Sequence, residues 1–342
     1  MREGWRESWG RLGRFAARHQ GLFWTLHSLW ALGWGVAFLV VGGKRSDLLR
    51  WGLASVGFVW ATGLALPALL GGPWIPEGRK EAARKAILWG QKWLLQGLAF
   101  FILPLYHRSA TYPSRNSVFV GVLFGAALAA TIDVVYDEVV ARRRWLFGVF
   151  LSFVAFACVN LTLPMVFRIG GRVTLAASAL VATAVFLSFW ARSAPEGGRG
   201  RHGLQVAAVG VLFFSLVAFG RAWVPPAPLR LVSARFGTSL AAGGLDVGEP
   251  LASLSPSSSL RLHVIAAVQA PAGLAEGVRH AWSVNGEAVY TSRPIEVTGG
   301  RARGFRSRST VTLRDLRPGQ VVRVEVETTS GQLVGRASLP VR

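Results

Sequence analysis

The chain has 342 residues, 51% of them hydrophobic and only 16% charged, with a mean hydropathy of +0.39 and a formal net charge of +21. Soluble domains carry about a quarter charged residues, so this balance excludes an ordinary water-soluble globular protein. The positive charge does not point to nucleic acid: before the C-terminal region the cations sit in short segments flanking apolar runs, where anionic lipid headgroups attract them.

Residues 1–21 form a basic tail with Arg2, Arg6, Arg11, Arg14 and Arg18. Apolar runs of about 20 residues follow, each long enough at 1.5 Å per residue to cross a ~30 Å hydrocarbon core. The pattern predicts about seven transmembrane helices in 22–222, at approximately 22–42, 50–71, 86–106, 117–137, 145–167, 172–191 and 203–222. No small-residue cleavage site follows the first run, which therefore reads as an uncleaved signal anchor. The third run contains Gln91, Lys92 and Gln96, but Lys92 is near one end and its long stem can reach the interface. The only cysteine, Cys158, lies inside the fifth run and has no partner for an intramolecular disulfide.

Orientation follows from the Lys and Arg residues near the span ends. The side bearing the N-terminal tail, Arg79 to Lys85, Arg142 to Arg144 and Arg192 to Arg201 holds 15; the other side holds 8. This places the N-terminus in the cytoplasm and, after seven crossings, the C-terminal domain outside it. Six crossings would return that domain to the cytoplasm.

A linker at 223–228 leads to a region of different character at 229–342. Short alternating runs are separated by Asn285-Gly286, Gly299-Gly300, Pro318-Gly319 and Ser330-Gly331, the pattern of an all-β, immunoglobulin-like sandwich of about seven strands. Leu260, Leu262, Val264, Ala266 and Val268 share one face of a strand, and so do Val322, Val324 and Val326. Asn285-Gly286 predicts a two-residue hairpin, because both residues tolerate positive φ, with Trp282 opposite Val289 and His280 opposite Thr291. The stretch Ser255 to Ser259 reads as a flexible loop.

Two sets of residues are candidates for function. In the β-region these are His280, Trp282, Arg306 and Arg308. Arg306 and Arg308 point the same way as Thr310 and Thr312; they form either an anion site or cross-strand pairs with Glu325 and Glu327. His280 and Trp282 are either half of a ligand pocket or part of a sandwich core. Within the membrane region the set is His27, Gln91, Lys92, Asp133 and Asp137, since ionisable groups there are costly unless paired. Lys92 and Asp133 fall at similar depth on consecutive antiparallel helices. An ion pair between them would serve either to hold the two helices together or to line a proton or solute pathway. Gly121-x-x-x-Gly125 fits close helix packing. No catalytic, metal or cofactor motif is present.

Leu-His-Ser-Leu-Trp-Ala-Leu at 26–32, the stretch from Leu103 to Thr111, and Asp133 to Asp137 resemble a family of uncharacterised bacterial membrane proteins. That family carries a C-terminal domain of unknown function 2914, which His280-x-Trp282, Arg306 to Ser309 and the closing Gly319 to Val341 resemble. The resemblance implies residence in the bacterial inner membrane and a periplasmic C-terminal domain; it carries no assigned activity. The expected function is a non-enzymatic envelope protein, held in the lipid bilayer, whose sandwich binds an envelope protein or glycan. The alternative is a small-solute or proton-coupled transporter using the Lys/Asp pair.

Overall fold

The computed structural model describes residues 29–30, 32–37, 40, 49–167, 169–191, 199–272 and 274–342. Helices come first: α1 (Leu49–Gly71), α2 (Glu77–Ser109), α3 (Arg115–Thr131), the short α4 (Asp133–Val135), α5 (Arg144–Phe167), α6 (Gly171–Ala191) and α7 (Arg199–Phe219). The π-helical segment Tyr136–Val140 continues α4, and a 3-10 turn at Gly220–Trp223 closes the helical region. The first expected span, 22–42, falls largely outside the described residues.

Among the described residues four helices are long and apolar enough to cross a membrane: Trp51–Gly71, Glu77–Ser109, Arg144–Phe167 and Gly171–Ala191. The third expected span is one of them. α2 runs for 33 residues, roughly 50 Å at 1.5 Å each, more than a bilayer core requires. Its surplus is the N-terminal end, where Lys80 pairs with Glu77, and Arg84 and Lys85 pair with Glu81 at 3.2 and 3.6 Å. In α7 the apolar stretch is the shorter Gly203–Leu212.

The fourth expected span, 117–137, is not one straight helix. α3 stops at Thr131, Ile132 is extended (φ −82°, ψ 106°), and the chain resumes as Asp133–Val140 after a 94° bend. Neither Gly nor Pro sits at the break. Asp133 instead occupies the first turn of the new helix, where a carboxylate is favoured, and faces the bundle interior.

The bundle has the inverse of a water-soluble surface. Leu180 is 64% exposed and Leu212 70%, while Gln91 and Lys92 are 1% and 4% exposed. Interior hydroxyls are satisfied within their own helices: Thr162, Ser178 and Thr183 each donate to the carbonyl four residues back at 2.7 Å. Glycines permit the closest helix approaches, since a Cβ on Gly148 would stand 2.8 Å from that of Phe189. Gly121 and Gly125 serve no such role in the described chain; nothing lies within 4 Å of a Cβ at either.

Eight strands follow: β1 (Arg230–Gly237), β2 (Ser257–Gln269), β3 (Ala275–Val284), β4 (Glu287–Thr291), β5 (Ile295–Thr298), β6 (Phe305–Leu316), β7 (Val321–Thr328) and β8 (Leu333–Pro340). One antiparallel sheet has the order β1-β2-β6, the other β4-β3-β7-β8 with β5 also on β3. Apolar residues from the two sheets, among them Leu262, Val264, Trp282, Val322 and Val324, fill the space between them. Ser257 to Ser259 belong to β2 rather than to a loop. The Asn285-Gly286 hairpin forms with both residues at positive φ (52° and 89°). A bulge beside Trp282 then shifts its register by one residue, so Trp282 faces Tyr290 and Ala281 faces Thr291.

The segment after α7 is a packed joint, not a free spacer. Val224 and Ala227 belong to the bundle core and Leu229 to the sandwich core. Gln332 Nε2 donates to the Val224 carbonyl at 3.1 Å, and Asn116 Nδ2 to that of Leu333 at 2.9 Å. Glu276 accepts from the Gly171 N–H at 2.6 Å, satisfying an orphan donor at the start of α6. Burial pushes the Glu276 carboxyl above its ordinary range, while the Gly171 bond and Arg172 draw it back.

Candidate functional site

The ionisable cluster of the bundle lies at the end away from the sandwich. Lys92 Nζ donates to Asp133 Oδ1, stands 3.7 Å from Asp137 Oδ2, and lies 5.6 Å from the centre of the Tyr136 ring. Gln91, one position earlier on α2, donates to Thr62 Oγ1 of α1 at 2.8 Å. The structure thus brings Lys92, Asp133 and Asp137 together and places Gln91 beside them; His27 lies outside the described residues. The break at Ile132 and the π-helical turn carry Asp133 and Tyr136 inward. Such turns are frequent at functional sites. Two buried groups nearer the sandwich were not singled out together by sequence: Tyr106 donates to the Ala157 carbonyl at 2.8 Å and accepts from Asn160 Nδ2 at 3.1 Å. A lone Tyr in an apolar run carries no signal of its partner 54 residues away.

The β-domain candidates divide between two environments. His280 and Trp282 are 0% and 1% exposed, inside the sandwich. Trp282 Nε1 donates to Ser309 Oγ at 2.9 Å. His280 Nδ1 is 2.8 Å from the same Ser309 oxygen, and its Nε2 is 2.9 Å from Ser307 Oγ. Ser307 spends its hydroxyl proton on the Ala266 carbonyl at 3.0 Å, so it must accept from His280 Nε2–H. Ser309 already accepts from Trp282 and is left to donate to Nδ1. Every group is satisfied with a neutral imidazole protonated on Nε2. Burial accordingly lowers the His280 pKa from 6.5 to about 4.

Arg306 and Arg308 are on the opposite, outward side of β6, in register with Ala267 and Ile265 of β2. They do not pair with Glu325 and Glu327, because β6 and β7 belong to different sheets. Arg306 Nη1 donates to the Leu245 carbonyl at 3.0 Å and stands 3.7 Å from Asp246, which also takes Arg235 at 3.4 Å. Glu325 pairs with Arg336 at 2.6 Å, and Arg336 in turn donates to the Pro113 carbonyl of the bundle. The register places Arg235 of β1, Arg261 of β2 and Arg314 of β6 on that same outward face, and the one acidic residue of these strands is the exposed Asp315 beside Arg314. His263 sits among them; burial, then Arg261 and Arg308, lower its pKa. Arg235, Arg261 and Arg314 were legible only once β1, β2 and β6 were known to be neighbours.

A sequence model of a family of unknown function, DUF5924, matches residues 15–260. The chain belongs to that family. The DUF5924 match takes in the whole helical region, including Lys92 and Asp133, and ends inside β2, ahead of His280 and Arg306. It does not extend to the expected likeness of the C-terminal part to domain of unknown function 2914. No curated protein matches the chain. Among solved structures, Pseudomonas fluorescens alkylpurine DNA glycosylase AlkC bound to DNA containing an abasic site analog aligns with 86% of this chain and 97% of that one. Its identity is 13% and its TM-score 0.23, too low to carry a conclusion about fold or function.

Among the described residues no group of three or more His, Cys, Asp or Glu could hold a metal ion. What the geometry offers is a buried ion pair in the bundle and an arginine-bearing sheet face on the sandwich.

Two expectations follow. Lys92→Met, which removes the buried cation between Asp133 and Asp137, lowers stability by about 3–5 kcal/mol, and the double variant Lys92→Met/Asp133→Leu recovers much of it. Thermal unfolding in detergent measures both, and a double-variant loss equal to the sum of the Lys92→Met and Asp133→Leu losses would show that the groups are not coupled. His280 gives a pH dependence of definite sign. Its folded pKa is depressed, so its contribution is full above pH 6.5 and is lost as pH falls from 6.5 toward 4. At 1.36 kcal/mol per unit the whole effect is about 3 kcal/mol. The protection factors of β3 and β6 amides, with exchange rates set against the intrinsic rate at each pH, should fall across this range in the native chain and change far less in His280→Gln.

Proposed function

We propose that this DUF5924 protein is a non-enzymatic component of the bacterial envelope that holds an arginine-rich sandwich face toward an acidic partner. In this reading seven helices cross the inner membrane with the N-terminus in the cytoplasm, and the immunoglobulin-like sandwich stands in the periplasm. The excess of basic residues on the N-terminal side supports that orientation.

The observation that carries the proposal is the outward face of the β1-β2-β6 sheet. Arg235, Arg261, Arg306, Arg308 and Arg314 project from it, five cations against two carboxylates, Asp246, which takes Arg235 and Arg306, and the exposed Asp315 beside Arg314. Planar guanidinium groups suit carboxylates and phosphates, which they bind through paired N–H donors. The joint to the bundle, through Val224, Leu229, Gln332 and Glu276, holds the face in place against the helices. An acidic envelope glycan or protein is the partner of matching chemistry.

A second reading, transport through the bundle, draws on the Lys92–Asp133 pair at a bent helix. Proton flux in proteoliposomes that Asp133→Asn abolishes would favour it.

The test of the first reading is retention of the full-length protein, in lipid nanodiscs, on an immobilised carboxylated glycan against its neutral counterpart. Arg306→Ala/Arg308→Ala should reduce retention by roughly three- to tenfold, the scale expected of exposed ionic contacts, without changing the unfolding temperature. Equal retention of native and variant protein, or of acidic and neutral glycan, would remove the basis of the proposal.

A further inference from the structure

At the end of the bundle remote from the sandwich, α1 is flanked by two grooves. One, of about 400 Å³, runs between α1, α2 and the start of α5, with Leu66, Leu70, Leu88 and Phe147 in its walls and Arg84, Arg142 and Arg144 at its rim. The other, of about 780 Å³, lies along α1 beside Trp60, Ala61, Ala65 and Ala68 and reaches Ala191 of α6. Leu64, Pro67 and Arg144 line both grooves. Two apolar grooves therefore meet at Arg144, with Arg142 lining one of them.

The depth of this junction is marked independently. Trp74, Trp89 and Trp145 are exposed at the same end of the molecule, and Trp residues with one apolar and one wet side settle at headgroup level. A cationic centre at headgroup level with two apolar channels leading from it matches one kind of molecule: two hydrocarbon chains joined at an anionic head. A free phosphate would leave both channels empty, and a zwitterionic head would set its own cation against Arg142 and Arg144.

We infer that these grooves form a binding site for an anionic phospholipid, with its phosphate on Arg142 and Arg144 and one acyl chain in each groove. The site is separate from the arginine face of the sandwich. It differs from the diffuse attraction of basic loops for an acidic leaflet because it requires the two channels as well as the charge. Bound lipid would fasten α1 to α2, α5 and α6.

The experiment uses the full-length protein in neutral detergent. Native mass spectrometry and thermal unfolding are measured with phosphatidylglycerol, phosphatidylcholine or inorganic phosphate added. The inference requires that phosphatidylglycerol binds stoichiometrically and raises the unfolding temperature, at least about tenfold more tightly than phosphatidylcholine. Arg142→Gln/Arg144→Gln should remove that preference. Arg143→Gln, whose residue lines neither groove, should keep it. Leu64→Trp retains every charge and fills both channels, so it should also abolish binding and guards against misfolding of the double variant. Equal binding of the two lipids, an equal loss in Arg143→Gln, unaltered binding in Leu64→Trp, or the same stabilisation by inorganic phosphate alone would each overturn the inference.

Discussion

The structure depends first on what surrounds its helices. Leu180, Leu212, Val211 and Phe58 point outward, while Gln91, Lys92, Gln96 and Asn160 point inward. In water this distribution would expose large apolar areas and bury polar groups with little to offset the cost. Against hydrocarbon it becomes the favourable arrangement, because polar side chains must find partners inside the protein. Lys92 is the clearest case. Its charge is tolerable in the interior because Asp133 and Asp137 converge on it, and they do so because the chain breaks at Ile132 instead of continuing α3. The bend, the π-helical turn and the ion pair have a common origin.

The same requirement explains which features were legible in the sequence. α1, α2, α5 and α6 follow from the length and apolarity of their runs, and β2, β3 and β7 from alternation and the Asn285-Gly286 turn. The Lys92–Asp133 contact was legible because cost demands a partner and helix geometry supplies only a few at the right depth. The break at Ile132 was not, since no Gly or Pro marks it and the cation that the new helix start meets lies about 40 positions away on α2. That Arg306 and Arg308 share one side of their strand followed from strand parity alone. Their neighbours were not legible, because the sheet that gathers them draws β1, β2 and β6 from distant parts of the chain. His280 and Trp282 were open to two readings. The serine pair that encloses them lies on β6, and only the packing of one sheet on the other brings it to them.

The joint between bundle and sandwich gives the molecule its functional geometry. The segment 223–228 read as a linker, yet buried Val224 and Leu229, the Glu276 bond to Gly171 and the Arg336 bond to Pro113 tie the two parts directly. Cationic groups then occupy both ends: Arg142 and Arg144 where two grooves meet, and the arginine face on the sandwich.

The central claim is that hydrocarbon surrounds the bundle while its two cationic ends meet water on opposite sides. Single cysteines introduced into a Cys158→Ser background at Leu180, Arg142 and Arg308, with a membrane-impermeant maleimide applied to intact cells and then to opened membranes, test it directly. The account predicts that Arg308→Cys labels once the periplasm is accessible, Arg142→Cys only after the inner membrane is opened, and Leu180→Cys in neither case, although its side chain lies on the outside of the fold. Labelling of Leu180→Cys by the aqueous reagent, or of Arg142→Cys and Arg308→Cys from the same side, would contradict it.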